Sequence, residues 1–282
     1  MFVPFSIGRF TVVDKVRYGG MGEVLKAECV EQDGTISQHA IKRPRPDVME
    51  HPELLALFWK EGELLQKVKH KAFPRVSEVG MAHGVPYMAM EFVEGVTVAE
   101  LVDAVRGGKV VVHPQSWVLL AADLADAVEH LHKFKRGDER LVHGDIRMAN
   151  VMVDVAGHVR LLDLGVALAS PELLARTLRS RKDELAPQFL TQVGRTPELD
   201  TYSVGRLLVE CLGGLTALDT ARLPQELLEV VKRSIDRSGL YLFRTARSLR
   251  REISAFLAPE RMDNMRKELT TAVRAIQSMS SP

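Results

Sequence analysis

A chain of 282 residues, 46% of them hydrophobic, can bury a full core and fits one large or two smaller lobes. Its 38 Lys and Arg balance 37 Asp and Glu, so no strong field points to nucleic acid or to a membrane surface. The two cysteines, Cys29 and Cys211, lie far apart with no C-x-x-C spacing; they imply a reducing compartment, here expected to be cytoplasmic, rather than a disulfide framework or a zinc site.

The longest apolar runs, Val118 to Val128 and Val204 to Leu218, carry Asp123, Asp126, Arg206 and Glu210, so no membrane span is expected, and neither is a signal peptide or an internal repeat. The first predicted strand is the β-branched run Phe10-Thr11-Val12-Val13. It leads through Val16 into Tyr18-Gly19-Gly20-Met21-Gly22-Glu23-Val24. Glycines there let a backbone approach phosphate closely, although a glycine-rich turn alone is equally a plain hairpin. After a turn at Gln32-Asp33-Gly34, the run Gln38-His39-Ala40-Ile41-Lys42 reads as a strand ending on a cation.

Leu54, Phe58, Leu65 and Val68, with Leu57 and Leu64 beside them, repeat at helical spacing, and Glu61 falls in the middle of that stripe. A carboxylate on a core face needs a cation, unless it snorkels to solvent. Pro86 to Gly95 reads as an apolar strand ending in an acidic turn, and Trp117, Leu120, Leu124, Val128 and Leu131 mark a long amphipathic helix.

That helix delivers the chain to Leu141-Val142-His143-Gly144-Asp145-Ile146-Arg147-Met148-Ala149-Asn150, followed after one hairpin by Leu162-Asp163-Leu164-Gly165. Two carboxylates and a carboxamide in loops between apolar strands imply a cation nearby. Taken singly, Asp145 caps a turn and Asn150 starts a strand. Farther on, Ser170-Pro171-Glu172 is a helix start with Leu173, Leu174 and Leu178 on one side. Leu199-Asp200-Thr201-Tyr202-Ser203-Val204-Gly205 opens an apolar helix that Asp200 caps, and further helices are expected near Gln225 to Ile235 and Thr245 to Leu257. Met262, Met265, Leu269, Val273 and Ile276 form an apolar stripe on a charged final helix, read either as docked on the domain or as a partner helix.

The ordered motifs resemble those of the protein kinase family, G-x-G-x-x-G-x-V, V-A-I-K, H-R-D-L-x-x-x-N and D-F-G, in the bacterial serine/threonine form. The resemblance implies an α+β fold of two lobes, a small antiparallel sheet with one helix over about residues 10–92 and a mainly helical lobe over 93–257, with 258–282 as a tail. It implies ATP and Mg²⁺ as ligands and a protein as substrate or regulated partner. Asp145 would accept the substrate proton, Lys42 held by Glu61 would grip the phosphates, Arg147 would keep positive charge near the transferred group, and Asn150 and Asp163 would hold the metal. Val16, Gly19, Gly20, Gly22, Val24, Ala40, Met90, Glu91, Val93 and Met152 would line the nucleotide site, with Met90 limiting its depth and the backbone of Glu91 and Val93 meeting the adenine edge. By the same resemblance His143 is a packed strut, and Asp200 anchors the catalytic loop as well as capping its helix.

Several positions depart from the family pattern. Arg17 falls on its first glycine, and Gly144 replaces the arginine that receives a phosphorylated activation loop. Arg181 falls on a substrate-pocket threonine. Ala186-Pro187-Gln188 resembles A-P-E with the acid missing, and its distant arginine partner falls on Leu242, so both ends of that ion pair are absent together. These departures support a second reading, a nucleotide-binding or scaffolding pseudokinase. His143-Gly144-Asp145 also resembles the H-G-D motif of aminoglycoside-type kinases, a third reading that the hinge-like stretch Pro86 to Gly95, the Ala-Pro-Gln motif and the Asp200 helix disfavour.

Overall fold

The computed structural model describes residues 3–18, 22–169, 196–220 and 223–280. The chain forms two compact units, Met1–Lys69 with Phe73–Val93, and His70–Ala72 with Glu94–Pro282.

The first unit is built on a six-stranded sheet in the order β1 (Phe5–Ile7), β2 (Phe10–Tyr18), β3 (Gly22–Val30), β4 (Ile36–Pro44), β6 (Val85–Glu91), β5 (Val76–Ala82). Every pairing is antiparallel; β1–β2, β2–β3, β3–β4 and β5–β6 join consecutive strands through short connections, and β4–β6 spans the two helices and β5. Phe10, Val12, Leu25, Ala27, Ile41 and Ala89 alternate with outward residues and meet in one apolar layer. The short helix α1 (Pro46–Met49) precedes α2 (Pro52–Lys67), which starts on Pro52 with its φ preset and Glu53 in the first turn. Leu57, Phe58, Glu61, Gly62 and Leu65 form the buried face of α2; of the predicted stripe Leu57, Phe58, Leu65 and Val68 are buried, while Leu54 and Leu64 are half-buried. Gly62 permits the close approach: a Cβ there would lie 2.9 Å from Val79 Cγ2 and 3.2 Å from Met88 Cε.

In the second unit a three-stranded antiparallel ribbon, β7 (Gly95–Thr97), β10 (Val151–Asp154) and β11 (Val159–Leu161), runs in the order β11-β10-β7. β8 (Lys135–Arg136) and β9 (Glu139–Arg140) make a separate hairpin. Thr97 and Glu100 form a reciprocal capping box at the start of α3 (Val98–Arg106), satisfying two otherwise orphaned N–H groups. Helix α4 (Pro114–Leu131) is buried on nearly every side, Trp117, Leu120, Leu124, Val128 and Leu131 included, because α5 (Pro197–Cys211) and α7 (Ala246–Ser254) pack against it. α6 (Gln225–Ser234) packs on α5 and α7.

The last helix, α8 (Pro259–Ser280), lies on α3, α4, β7 and β10. Met265, Leu269 and Val273 of its expected stripe are buried, Ala272 joins them, and Met262 and Ile276 are half-buried. Among the described residues no helix is long and apolar enough to cross a membrane. The helix expected from Ser170 with Leu173, Leu174 and Leu178, the positions Thr177, Ser180 and Arg181, the Ala186-Pro187-Gln188 motif, and Gly19, Gly20 and Met21 lie outside the described residues.

Candidate active site

In the first unit β4 presents Lys42 and α2 presents Glu61. The ammonium lies 2.8 Å from each carboxylate oxygen, with Lys42 7% and Glu61 1% exposed. A core carboxylate without a cation is untenable, and Lys42 supplies that cation to Glu61. Register places neighbours around it: Val24 is opposite Lys42 across β3 and β4, and Ala40 is opposite Met90 across β4 and β6. Directly paired residues and residues two apart share a face, so Val24, Ala40, Lys42 and Met90 line one side of the sheet. Val16 on β2 is exposed.

Gly22 has a packing role independent of any ligand. A Cβ there would come within 2.3 Å of the Arg43 carbonyl oxygen, so the glycine lets β3 and β4 pair this closely. At the end of β6 the Glu91 N–H is committed to the Arg75 carbonyl at 2.8 Å, and Val93 is buried.

In the second unit Asp145 is 8% exposed. Asn150, itself 1% exposed, donates from Nδ2 to the Asp145 carbonyl at 3.0 Å and to its Oδ2 at 2.6 Å, while Arg147 Nε stands 3.5 Å from that Oδ2. Asp145, Asn150 and Arg147 are thus brought together at one place in the loop. Asn150 leads into β10, and its carbonyl accepts the Leu162 N–H at 2.9 Å. Asp163 follows at once with φ +66, a left-handed conformation that a non-glycine residue holds only at a cost, and its Oδ1 accepts the Gly165 N–H at 3.2 Å. Met152, half-buried on β10, pairs with Arg160 and Thr97.

What holds the loop bearing Asp145 is Asp200 on α5, wholly buried. It accepts the N–H of His143 at 2.8 Å and of Gly144 at 2.9 Å, and His132 Nε2 stands 2.8 Å from the same carboxylate. Burial pushes the Asp200 carboxyl up, but the hydrogen bond and charge of His132, the proximity of His143 and the Gly144 N–H together hold it below the ordinary range. Gly144 adopts φ +75, which aims two successive N–H groups at one anion. His143 is a buried strut: Nδ1 accepts the Asp145 N–H at 3.2 Å and Nε2 faces the Leu162 carbonyl at 3.3 Å. Of the two roles expected for Asp200, the structure shows the anchoring of the loop and not the cap: α5 begins earlier, at Pro197 with Thr196 as its N-cap, so Asp200 lies inside the helix and its carboxylate is turned to the loop.

His132 escaped the sequence reading. Its one signal was an ionisable ring directly after the last residue of an apolar helix, 4% exposed in the fold. Leu164 and Leu242, the two leucines that the resemblance sets where a family aromatic ring and cation are expected, are both buried. A cavity of about 400 Å³ edged by Arg106, Trp117 and Cys211 includes none of the residues above.

The family model for the protein kinase domain matches residues 10–273, and the chain belongs to that family. Among curated relatives it is 23% identical to the serine/threonine-protein kinase PrkC of Bacillus subtilis, over 96% of this chain and 45% of PrkC. It is 28% identical to the tyrosine-protein kinase MasK of Myxococcus xanthus, over 73% of this chain and 33% of MasK, and 26% identical to the serine/threonine-protein kinase PknB of Mycobacterium leprae, over 75% and 33%. The chain therefore spans less than half the length of these relatives. The fold is that of the apo form of PpkA-294, with a TM-score of 0.70 at 19% identity covering 88% of this chain and 97% of that one. The Mycobacterium tuberculosis PknI kinase domain gives 0.65 at 20% identity, covering 89% and 97%.

Proposed function

We propose that this chain transfers the γ-phosphate of ATP to a serine or threonine hydroxyl of a protein, with Mg²⁺ as the divalent ion. The observation that carries the reading is the nearly buried Asp145, its carboxylate held by Asn150 and the two residues before it, His143 and Gly144, fixed through their backbone N–H groups by Asp200. A carboxylate so placed accepts a hydroxyl proton without reorganising, and positioning of this kind supplies most of the catalysis in phosphoryl transfer.

In the first unit, Lys42, oriented by Glu61, neutralises phosphate charge. Val16, Val24, Ala40 and Met90 offer apolar surface to the adenine. With its N–H taken by Arg75, Glu91 serves the base through its carbonyl, and Val93 through its backbone. By the family resemblance, Gly22, where β3 begins, would follow a loop at the phosphates that carries Gly19 and Gly20. In the second unit, Met152 offers further apolar surface, Arg147 adds positive charge, and Asn150 and Asp163 hold the ion. One carboxylate and one amide oxygen make a hard, sparse donor set. Such a set fits magnesium, which leaves the rest of its shell to phosphate and water. When bound, the ion offsets charge that develops on the phosphate oxygens.

The test is transfer of radiolabel from ATP to the chain itself or to a generic basic protein, with and without Mg²⁺. Label on serine or threonine supports the reading, and label on tyrosine alone overturns the residue class. A second reading, a nucleotide-binding or scaffolding regulator, draws on Arg17 and on Gly144, which lacks a guanidinium for an activating phosphate. It predicts no transfer under any divalent ion.

A further inference from the structure

Helix α8 carries one cation set beside its buried stripe. Arg266 directs Nη1 and Nη2 at the two oxygens of Asp123 on α4, at 2.7 and 3.1 Å, and Nη1 also lies 3.4 Å from the Gly157 carbonyl. The two side chains are 18% and 17% exposed, so this forked pair is largely sheltered from water.

Gly157 sits in the turn that closes the β10–β11 hairpin. Its φ is +79, and a Cβ added there would come 2.5 Å from the Arg266 carbonyl oxygen and 3.1 Å from Thr270 Oγ1. Helix backbone and turn backbone therefore touch, and glycine is what lets them. Asp154 folds the turn from inside, its Oδ1 accepting the N–H groups of Ala156 at 3.0 Å and His158 at 2.9 Å. At the other end of the same hairpin stand the two residues expected to hold the ion. Asn150 immediately precedes β10, and Asp163 follows β11 by two residues. The ribbon between them is short and continuously paired, from Val151 opposite Leu161 to Val153 opposite Val159.

We propose that Arg266 is a positioning residue for the divalent ion: by tying Asp123 and the Gly157 carbonyl to α8 it fixes the closed end of the hairpin, and thereby the orientation of Asn150 and Asp163 at its open end. This rests on the kinase reading. Outer partners of a metal site govern affinity by holding the ligands in place, and here the hold acts through paired backbone.

The experiment compares the full chain with Arg266→Met, which keeps the aliphatic stem and loses both charged bonds, with Arg266→Lys, and with Gly157→Ala, which displaces the turn from the helix. Phosphate transfer is followed against Mg²⁺ concentration at saturating ATP, and thermal melting is recorded alongside. For Arg266→Met the half-saturating Mg²⁺ should rise about three- to tenfold, less than for loss of a direct partner of a metal ligand, while the rate at saturating Mg²⁺ stays near that of the parent. Gly157→Ala should reproduce the rise, and Arg266→Lys should restore part of the loss. A lowered melting temperature with unchanged half-saturating Mg²⁺ in both Arg266→Met and Gly157→Ala overturns the assignment and leaves the contact as packing. Absence of any Mg²⁺-dependent transfer in the parent chain instead overturns the kinase reading on which it rests.

Discussion

His132 Nε2 stands 2.8 Å from Asp200 Oδ2 in the interior of the second unit, and that same carboxylate accepts the two N–H groups that fold the Asp145 loop. Asp200→Ala would leave two N–H groups and a ring nitrogen without their acceptor. Its cost should be about 3–5 kcal/mol, the range for breaking a buried ionic contact. Urea unfolding monitored by circular dichroism measures it, and a cost under about 1 kcal/mol, the scale of one ordinary hydrogen bond, would show that the hub is redundant.

Acid should destabilise the chain in two stages. Burial, first, together with neighbouring charges holds His39, His130 and His158 below their ordinary values. The unfolded chain therefore takes protons on these rings below about pH 6.5 while the native chain resists, so their contribution is whole above that pH and declines beneath it. The Asp200 carboxyl is also depressed, so its contribution is present above the unfolded value near pH 4 and is lost as pH falls through the lower folded one. Melting temperatures between pH 8 and pH 3 should fall in that order. A flat profile down to pH 4 would contradict the histidine assignment.

The Lys42–Glu61 pair separates stability from function. Lys42→Met strands the carboxylate of Glu61, a residue 1% exposed, and should cost about 3–5 kcal/mol. Lys42→Met combined with Glu61→Leu removes both charges and should recover much of that loss, while the response of the melting temperature to ATP disappears. If the double variant is as unstable as Lys42→Met, apolar packing rather than a stranded charge accounts for the cost.

That pair was legible because an acid on an apolar helical stripe must have a cation, and the next strand upstream ended on one. The Asp145 loop was legible for a related reason, three polar groups between greasy strands. His132, Arg266 and Gly157 were not. Their partners lie 68, 143 and 109 residues away in sequence, and no local periodicity encodes a contact of that span. The packing role of Gly22 was not legible, since a glycine expected in a phosphate loop and a glycine between two tightly paired strands look alike in sequence.

Gly144 at φ +75 should resist an arginine. Gly144→Arg imposes the left-handed penalty of about 1–2 kcal/mol and should lower the melting temperature. Because the native chain lacks that guanidinium, replacing Ser170, Thr177 and Ser180 together with alanine should leave transfer largely intact. Loss of transfer in the triple variant, measured with the radiolabel assay, would show that loop phosphorylation acts through another cation.

Asp145→Asn tests the central claim most directly, because the amide keeps the size and the Asn150 neighbourhood of the carboxylate but cannot take a proton. Phosphate transfer should fall by about two to four orders of magnitude, the usual contribution of a general base, while the thermal shift produced by ATP and Mg²⁺ persists. Undiminished transfer by Asp145→Asn would contradict the assignment of Asp145 as the base.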